Sequence, residues 1–94
     1  MNKPKYNCEF QKVNISKEEK IKKALAKINS IDILINNAGI AKIERIEETS
    51  TAILNEMIDV NLKGLFWTCK YSLPKIKSGG CIINISSLAG IKSF

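Results

Sequence analysis

Two polar segments each follow an apolar run and have the residue types to bind a ligand. Residues 36–39 (N-N-A-G) follow Ile33–Ile35, and the pair Ser86-Ser87 follows Cys81–Ile85. In open α/β sheets ligands bind at the carboxyl ends of the strands, so both segments are expected to face one crevice. A serine there can hydrogen-bond a ligand or cap the next segment, but without a nearby base it is not a nucleophile.

A third polar residue, Asn61, lies within an apolar helical pattern. It follows Met57 by four residues and precedes Leu65 by four, which places it in their apolar line on a helix. A neutral amide in such a position needs hydrogen-bond partners or it costs stability. From position alone, the first interpretation is an amide that bonds nearby backbone and only bends the helix.

The composition excludes several kinds of site. With no histidine in 94 residues, the chain cannot by itself supply a Ser-His-Asp triad, a Cys-His pair or a histidine-containing zinc site. Its three cysteines, Cys8, Cys69 and Cys81, form no C-x-x-C pair. We therefore expect free thiols in a reducing compartment and no metal site. The length allows one small domain at most.

The charge is concentrated near the N-terminus. Residues 1–30 carry eight lysines and three glutamates, a net charge of +5 out of +6 for the whole chain. This stretch invites a nucleic-acid hypothesis, but no arginine or aromatic residue alternates with the lysines as a single-strand platform requires. The favoured interpretation is a solvated helix face with no nucleic-acid partner. No signal peptide or membrane span is predicted, so a cytoplasmic location is expected.

The elements that must position these residues are predicted by periodicity. Ser16 and Glu19 fit a capping box before a helical apolar stripe, which consists of Ile21, Ala24, Leu25 and Ile28. The run 31–35 then predicts a strand covered on both faces, as in a parallel sheet. Residues 8–13 are a weaker, edge-strand candidate.

A long helix is predicted from about Ser50 to Ile76. Thr49 is its expected N-cap, a bend is expected near Gly64, and Pro74 is expected in its last turn or at its end. Residues 78–80 (S-G-G) are expected to stop the helix before a second apolar strand, 81–85. The alternation of strands and helices predicts right-handed βαβ units in a parallel sheet.

Three segments together resemble the middle of a short-chain dehydrogenase/reductase. They are D-I-L-I-N-N-A-G-I (32–40), D-V-N-L-K-G (59–64) and G-C-I-I-N-I-S-S-L-A-G (80–90), in the family's order and spacing. The resemblance implies an α/β fold: a partial Rossmann-type parallel sheet with flanking helices, that is, an incomplete doubly wound fold. Residues 1–94 would form a partial NAD(P)-binding domain.

The resemblance also implies roles for individual residues. The family transfers hydride between NAD or NADP and a carbonyl or hydroxyl substrate. Asn61 corresponds to the asparagine that holds a water in the proton relay, and Ser87 to the catalytic serine that hydrogen-bonds the substrate. The residues that correspond to cofactor contacts are Asn14, Asn36, Asn37, Ala38 and Gly39.

The chain departs from the family pattern in two places. The family's catalytic tyrosine, thirteen residues after the serine, would be residue 100, and the glycine-rich phosphate loop has no counterpart in residues 1–12. Tyr71 and Lys75 have the spacing of the family's Tyr-x-x-x-Lys pair, but they precede the serine, so we interpret them as a coincidence. These 94 residues alone are therefore predicted to be inactive.

The same resemblance also implies the partners. If the protein is completed, a small carbonyl or alcohol is the expected substrate, although neither its identity nor the choice between NAD and NADP is fixed. The strands that normally lie between the third and fourth strands of the family's sheet are missing, which leaves open edges. A homo-oligomer through the long helix or these edges is expected. The alternative function is a non-catalytic oligomerising or partner-binding module.

Overall fold

Two parallel strands and the long helical segment between them form the centre of the molecule. The computed structural model describes residues 7–42 and 44–87. The helices are α1 (Glu18–Ala26), α2 (Thr51–Ile58) and α3 (Leu65–Ser72), and the strands are β1 (Ile31–Asn36) and β2 (Ile76–Asn84). A π-helical turn (Asp59–Gly64) joins α2 to α3, and 3-10 turns occupy Ile46–Glu48 and Leu73–Lys75. The β1-helix-β2 unit confirms the predicted α/β fold with a parallel sheet.

The register of the two strands brings their carboxyl ends together. Asn36 lies opposite Asn84, and the Ile85 N–H donates to the Asn36 carbonyl at 2.9 Å. The register shifts near the start of β2, where Gly79 adopts a positive φ of 82°. The S-G-G segment was predicted to stop the helix. Instead the helix ends at Lys75 and the segment forms an irregularity within β2.

The prediction that both faces of β1 are covered is wrong for the described residues. Ile33 and Ile35 are 58% and 59% exposed, whereas Ile31, at the start of the strand, is buried. Helix α3 contacts β1, and the Asn36 side chain reaches Cys69 of α3. Since successive side chains of a strand point to opposite faces, a single helix layer covers one face alone.

The segment 8–13 does not form the predicted strand. Among the described residues β1 and β2 pair only with each other, so this segment has no strand to supply ladder hydrogen bonds. It lies instead against α1, where Gln11 Nε2 donates to the Ala24 carbonyl at 3.3 Å.

The capping box is also absent. Helix α1 starts at Glu18 with Lys17 as its N-cap and no side-chain cap. Ser16 donates from both its N–H and its hydroxyl to Asn14 Oδ1, at 3.0 and 2.7 Å. This local turn competes with the cap for the Ser16 side chain.

Helix α1 is held at both ends by the end of the long helix. Lys75 Nζ donates to the carbonyls of Leu25 and, at 2.6 Å, Ile28, which lie at and just beyond the last turn of α1. A cation there is favoured by the partial negative charge of the helix C-terminus, and the Leu25 carbonyl accepts from the Ile28 N–H as well. At the other end the Tyr71 hydroxyl donates to the Glu18 carboxylate. Thus the Tyr71–Lys75 spacing serves helix docking. Between these contacts Ile21 is buried.

The long helix follows the prediction in extent but not at its start. Ser50, not Thr49, is the N-cap, because its Oγ accepts from the Ile53 N–H at 3.1 Å. Thr49 instead donates to the Arg45 carbonyl, which closes the preceding 3-10 turn.

Where a bend was expected, the helix widens into the π turn that ends at Gly64. A Cβ on Gly64 would lie 2.8 Å from the Ile15 carbonyl oxygen, so the loop before α1 approaches too closely for any other residue. Pro74 lies in the final 3-10 turn, as predicted. None of the helices in the described ranges is both long and apolar enough to cross a membrane.

The contact between Tyr71 and Glu18 leads to a prediction about pH. The hydrogen bond to Glu18, with smaller effects of desolvation and of the nearby carboxylate charges, raises the pKa of Tyr71 from 10.0 to about 12. Because the pKa is raised in the folded state, any stability from this phenol is complete below pH 10 and is lost as the pH rises towards 12. In an ultraviolet titration, the component that Tyr71→Phe removes should have its midpoint near 12.

Two carboxylate variants provide the matched comparison. Glu18→Gln should return the midpoint towards the ordinary value, whereas Glu19→Gln should move it less, because the charge of Glu19 is the smallest of the effects that raise the pKa of Tyr71. A wild-type midpoint near the ordinary tyrosine pKa would show that the contact is absent.

Candidate dinucleotide-binding cavity

A cavity of about 190 Å³ lies where β1 and β2 end. Its polar lining comes from three elements: the N-N-A-G turn, the long helix and the end of β2. The polar side chains are Asn36, Asn37, Asn61, Thr68 and Asn84, and Ile15, Ile35, Leu65 and Ile85 complete most of the remaining wall. The parallel strands therefore place their terminal amides at one edge, as the sequence predicted.

Asn61 fixes the turn to the helix by a two-point contact. Its Oδ1 accepts from the Ile40 N–H at 2.8 Å, and its Nδ2 donates to the Ile40 carbonyl, also at 2.8 Å. The partner is therefore backbone 21 residues away, not the nearby backbone expected from position alone. Gly39 is part of the same contact, since a Cβ there would lie 3.2 Å from Asn61 Oδ1. The π turn centred on Asn61 is the helix distortion that accompanies this contact.

Asn36 joins β1 to both of its neighbours. Its Nδ2 donates to Asn84 Oδ1 at 2.9 Å and to Cys69 Sγ at 3.4 Å. These two acceptors use both amide hydrogens, and they orient the side chain at the cavity edge. Neither Asn84 nor Cys69 was predicted from the sequence as a site residue. The signal for Asn84 was its place as the single polar residue in I-I-N-I (82–85), whereas Cys69 had no distinguishing signal.

Two of the predicted site residues lie apart from this group. Asn14 does not line the cavity, and its Oδ1 is occupied by Ser16. Ser87 lies beyond the end of β2 and is also outside the lining. The cavity therefore brings together Asn36, Asn37, Ala38 and Asn61, with Gly39 against Asn61.

The lining determines which chemistry this cavity can perform. None of its described residues carries a charge. Amides and a threonine hydroxyl can bind hydroxyls and ring nitrogens, but they cannot neutralise a phosphate or act as a general acid or base at neutral pH. Within the described ranges, no group of three histidine, cysteine or carboxylate side chains is placed to hold a metal ion.

Comparison with known proteins identifies relatives of this chain. The pattern of the family described as short chain dehydrogenase matches residues 2–94. An uncharacterized oxidoreductase of Thermotoga maritima is 42% identical over 76 residues, which cover 79% of this chain and 30% of that protein. A 3beta-hydroxysteroid dehydrogenase of Mediterraneibacter gnavus is 34% identical over 92 residues, which cover 92% of this chain and 33% of that protein.

A solved structure shows the same fold. The short-chain dehydrogenase/reductase of Brucella melitensis described as a glucose/ribitol dehydrogenase superposes with a TM-score of 0.81 at 30% identity, covering 87% of this chain and 37% of that one. The chain thus spans about a third of the length of the curated relatives it matches. Sequence match and Rossmann-type fold agree, and the chain belongs to the short-chain dehydrogenase family.

Proposed function

We propose that this chain forms part of an NAD(P)-dependent oxidoreductase that transfers hydride between the nicotinamide and a carbonyl or hydroxyl substrate. Residues 1–94 would be a partial NAD(P)-binding domain of that enzyme. The observation that carries the proposal is the attachment of the N-N-A-G turn to the long helix by Asn61 and Ile40. Through this contact Asn61, which corresponds to the family's proton-relay residue, holds the turn that corresponds to the family's cofactor-binding wall.

The cavity fits one portion of a dinucleotide. At about 190 Å³ it is smaller than pockets for whole drug-sized ligands, roughly 300–1,000 Å³. Its uncharged amide lining suits an adenosine moiety better than a pyrophosphate. Asn36, Asn37, Ala38 and Gly39 would hold that side of NAD or NADP, and the nicotinamide, when bound, supplies the hydride chemistry. Asn14 would approach the adenine with its Nδ2, because Ser16 occupies its Oδ1.

The proposed roles of Asn61 and Ser87 differ. The Asn61 side chain is occupied by Ile40, so a relay water would bind its backbone carbonyl instead. In a π turn the bonds run from i to i+5, which leaves a backbone carbonyl without its usual partner. Ser87 would hydrogen-bond the substrate oxygen without acting as the base.

We infer that the 94 residues alone do not turn over substrate. A positioned general acid or base contributes about 10²- to 10⁴-fold to rate, and the described cavity lining holds none. Tyr71 does not fill this role, since its pKa is raised to about 12 and its hydroxyl is bound to Glu18. A catalytic tyrosine requires a pKa shifted in the opposite direction.

Cysteine usage supports a cytoplasmic location for this enzyme. Cys8, Cys69 and Cys81 are all free thiols in the structure. Proteins of oxidising compartments instead tend to pair their cysteines.

The serine pair provides a direct test of this function. In the protein as its cells make it, Ser87→Ala should lower kcat/KM for NAD(P)H-dependent carbonyl reduction by about 10²- to 10³-fold, the size expected for losing a donor to the reacting oxygen. The adjacent Ser86→Ala is the matched control and should stay within about threefold. The 94-residue chain should show no turnover. Equal effects of the two substitutions, or turnover of order 10 s⁻¹ by the 94 residues, would refute the proposal.

A second candidate function, an oligomerising module, is favoured by the long helix. Leu54, Ile58, Leu62 and Phe66 recur every four residues and are all exposed, with Leu62 and Phe66 at 63% and 59%. Apolar side chains at this spacing form one helix face. An exposed apolar face of this kind is typical of a protein interface, and a second copy of the chain is the partner we propose for it.

Sedimentation equilibrium tests the oligomer. Leu62→Lys should raise the dimer dissociation constant by at least about tenfold, because a buried ammonium would oppose the contact. Ile46→Lys is the control, since Ile46 is almost fully exposed and lies outside the long helix. A protein that is monomeric throughout, or equal effects of the two lysines, would contradict this function.

A further inference from the structure

A second cavity lies between the segment before α1 and α1 itself. Its volume is about 360 Å³, and four lysines line it: Lys12, Lys20, Lys23 and Lys27. Lys20, Lys23 and Lys27 recur at i, i+3 and i+7, which places them on one face of the helix region. The segment before α1 forms the other wall. Gln11 holds this segment against the helix, because its Nε2 donates to the Ala24 carbonyl.

These four lysines have no opposite charge among the described residues that line the cavity. No residue lining the cavity is acidic, and within the described ranges none of the four makes an ion pair. Four other lysines do have partners: Lys63, Lys70 and Lys77 pair with carboxylates, and Lys75 binds carbonyls. Like charges along one concave surface repel one another, and an anion placed among them lowers that cost.

We propose that this cavity binds a small anion carrying two or more phosphate groups. Each lysine offers three donors on a flexible stem, so several phosphate oxygens can be met at once. The volume lies within the range of small-ligand pockets. No aromatic residue lines the cavity, so the stacking on which single-stranded nucleic acids depend is missing.

This site is separate from the candidate dinucleotide cavity. The two cavities share no lining residue, and the first one is uncharged. Asn14 also lines the lysine cavity, but its Nδ2 is assigned to the adenine in the proposed function, so the four lysines alone are the proposed phosphate ligands. The proposal therefore goes beyond hydride transfer and does not depend on it.

Calorimetric titration of the 94-residue protein with sodium tripolyphosphate tests the site. We expect one saturable site whose affinity falls as salt rises. The double variant Lys23→Gln, Lys27→Gln should weaken binding by at least about tenfold. The matched control Lys17→Gln, Lys22→Gln removes the same charge from residues outside the cavity and should change affinity by less than about threefold. Equal losses in the two variants would show only diffuse attraction and overturn the site.

Two further measurements separate the sources of the phosphate and guard against misfolded variants. Adenosine triphosphate should bind within about threefold of tripolyphosphate if the phosphates carry the affinity. Binding of the nucleotide without tripolyphosphate, or of a single-stranded oligonucleotide alone, would overturn the proposal. In the wild-type protein, bound tripolyphosphate should protect Lys20, Lys23 and Lys27 from acylation and leave Lys17 and Lys22 reactive. Uniform protection would also refute it.

Discussion

The candidate cavity depends on the two hydrogen bonds between the Asn61 amide and the Ile40 backbone, which join the turn after β1 to the long helix. They satisfy a backbone N–H and a carbonyl just beyond a strand end, where no ladder partner is available. They also leave little room at Gly39, because a Cβ there would lie 3.2 Å from Asn61 Oδ1. Asn61 lies in a π turn of the long helix. The helix therefore loses its regular hydrogen bonding at the residue whose side chain supports the N-N-A-G turn. Asn36 secures the strand end through Asn84 and Cys69.

Polar groups are divided between two regions of different charge. The cavity at the strand ends has only neutral amides and a hydroxyl, whereas α1 and the segment before it present lysines. The ionisable pair that sequence spacing offers as a catalytic group, Tyr71 and Lys75, instead docks α1. The same Tyr-x-x-x-Lys spacing can therefore serve either catalysis or helix docking, because the environment of a phenol decides its pKa. Here a hydrogen bond to a carboxylate raises it.

The fold was predictable where the sequence pattern depends on one element at a time. The apolar run 31–35, the stripe around Ile21 and the long helical period each specify an element without help from the rest of the chain. The details that were not predicted depend on competition between neighbours. Ser16 was expected to cap α1, but its hydroxyl instead donates to Asn14 Oδ1. The exposed face of β1 depends on which elements pack over it, and local periodicity does not contain that information.

The site was predictable in composition but not in its contacts. Motif resemblance selected Asn36, Asn37, Ala38 and Asn61, which the structure brings together. The partner of Asn61 lies 21 residues away and could not be inferred from helix periodicity. The positions of Asn14 and Ser87 outside the cavity likewise depend on loop paths. Sequence spacing alone does not fix such paths.

Amide hydrogen exchange at Ile40 tests the central claim most directly. In the wild-type protein the Ile40 N–H should be protected, and Asn61→Leu should reduce its protection by at least about tenfold, because the amide loses its acceptor. The Ile85 N–H, bound to the Asn36 carbonyl, is the internal control and should keep its protection. An Ile40 amide that is unprotected in the wild type, or one whose protection survives Asn61→Leu, would contradict the account.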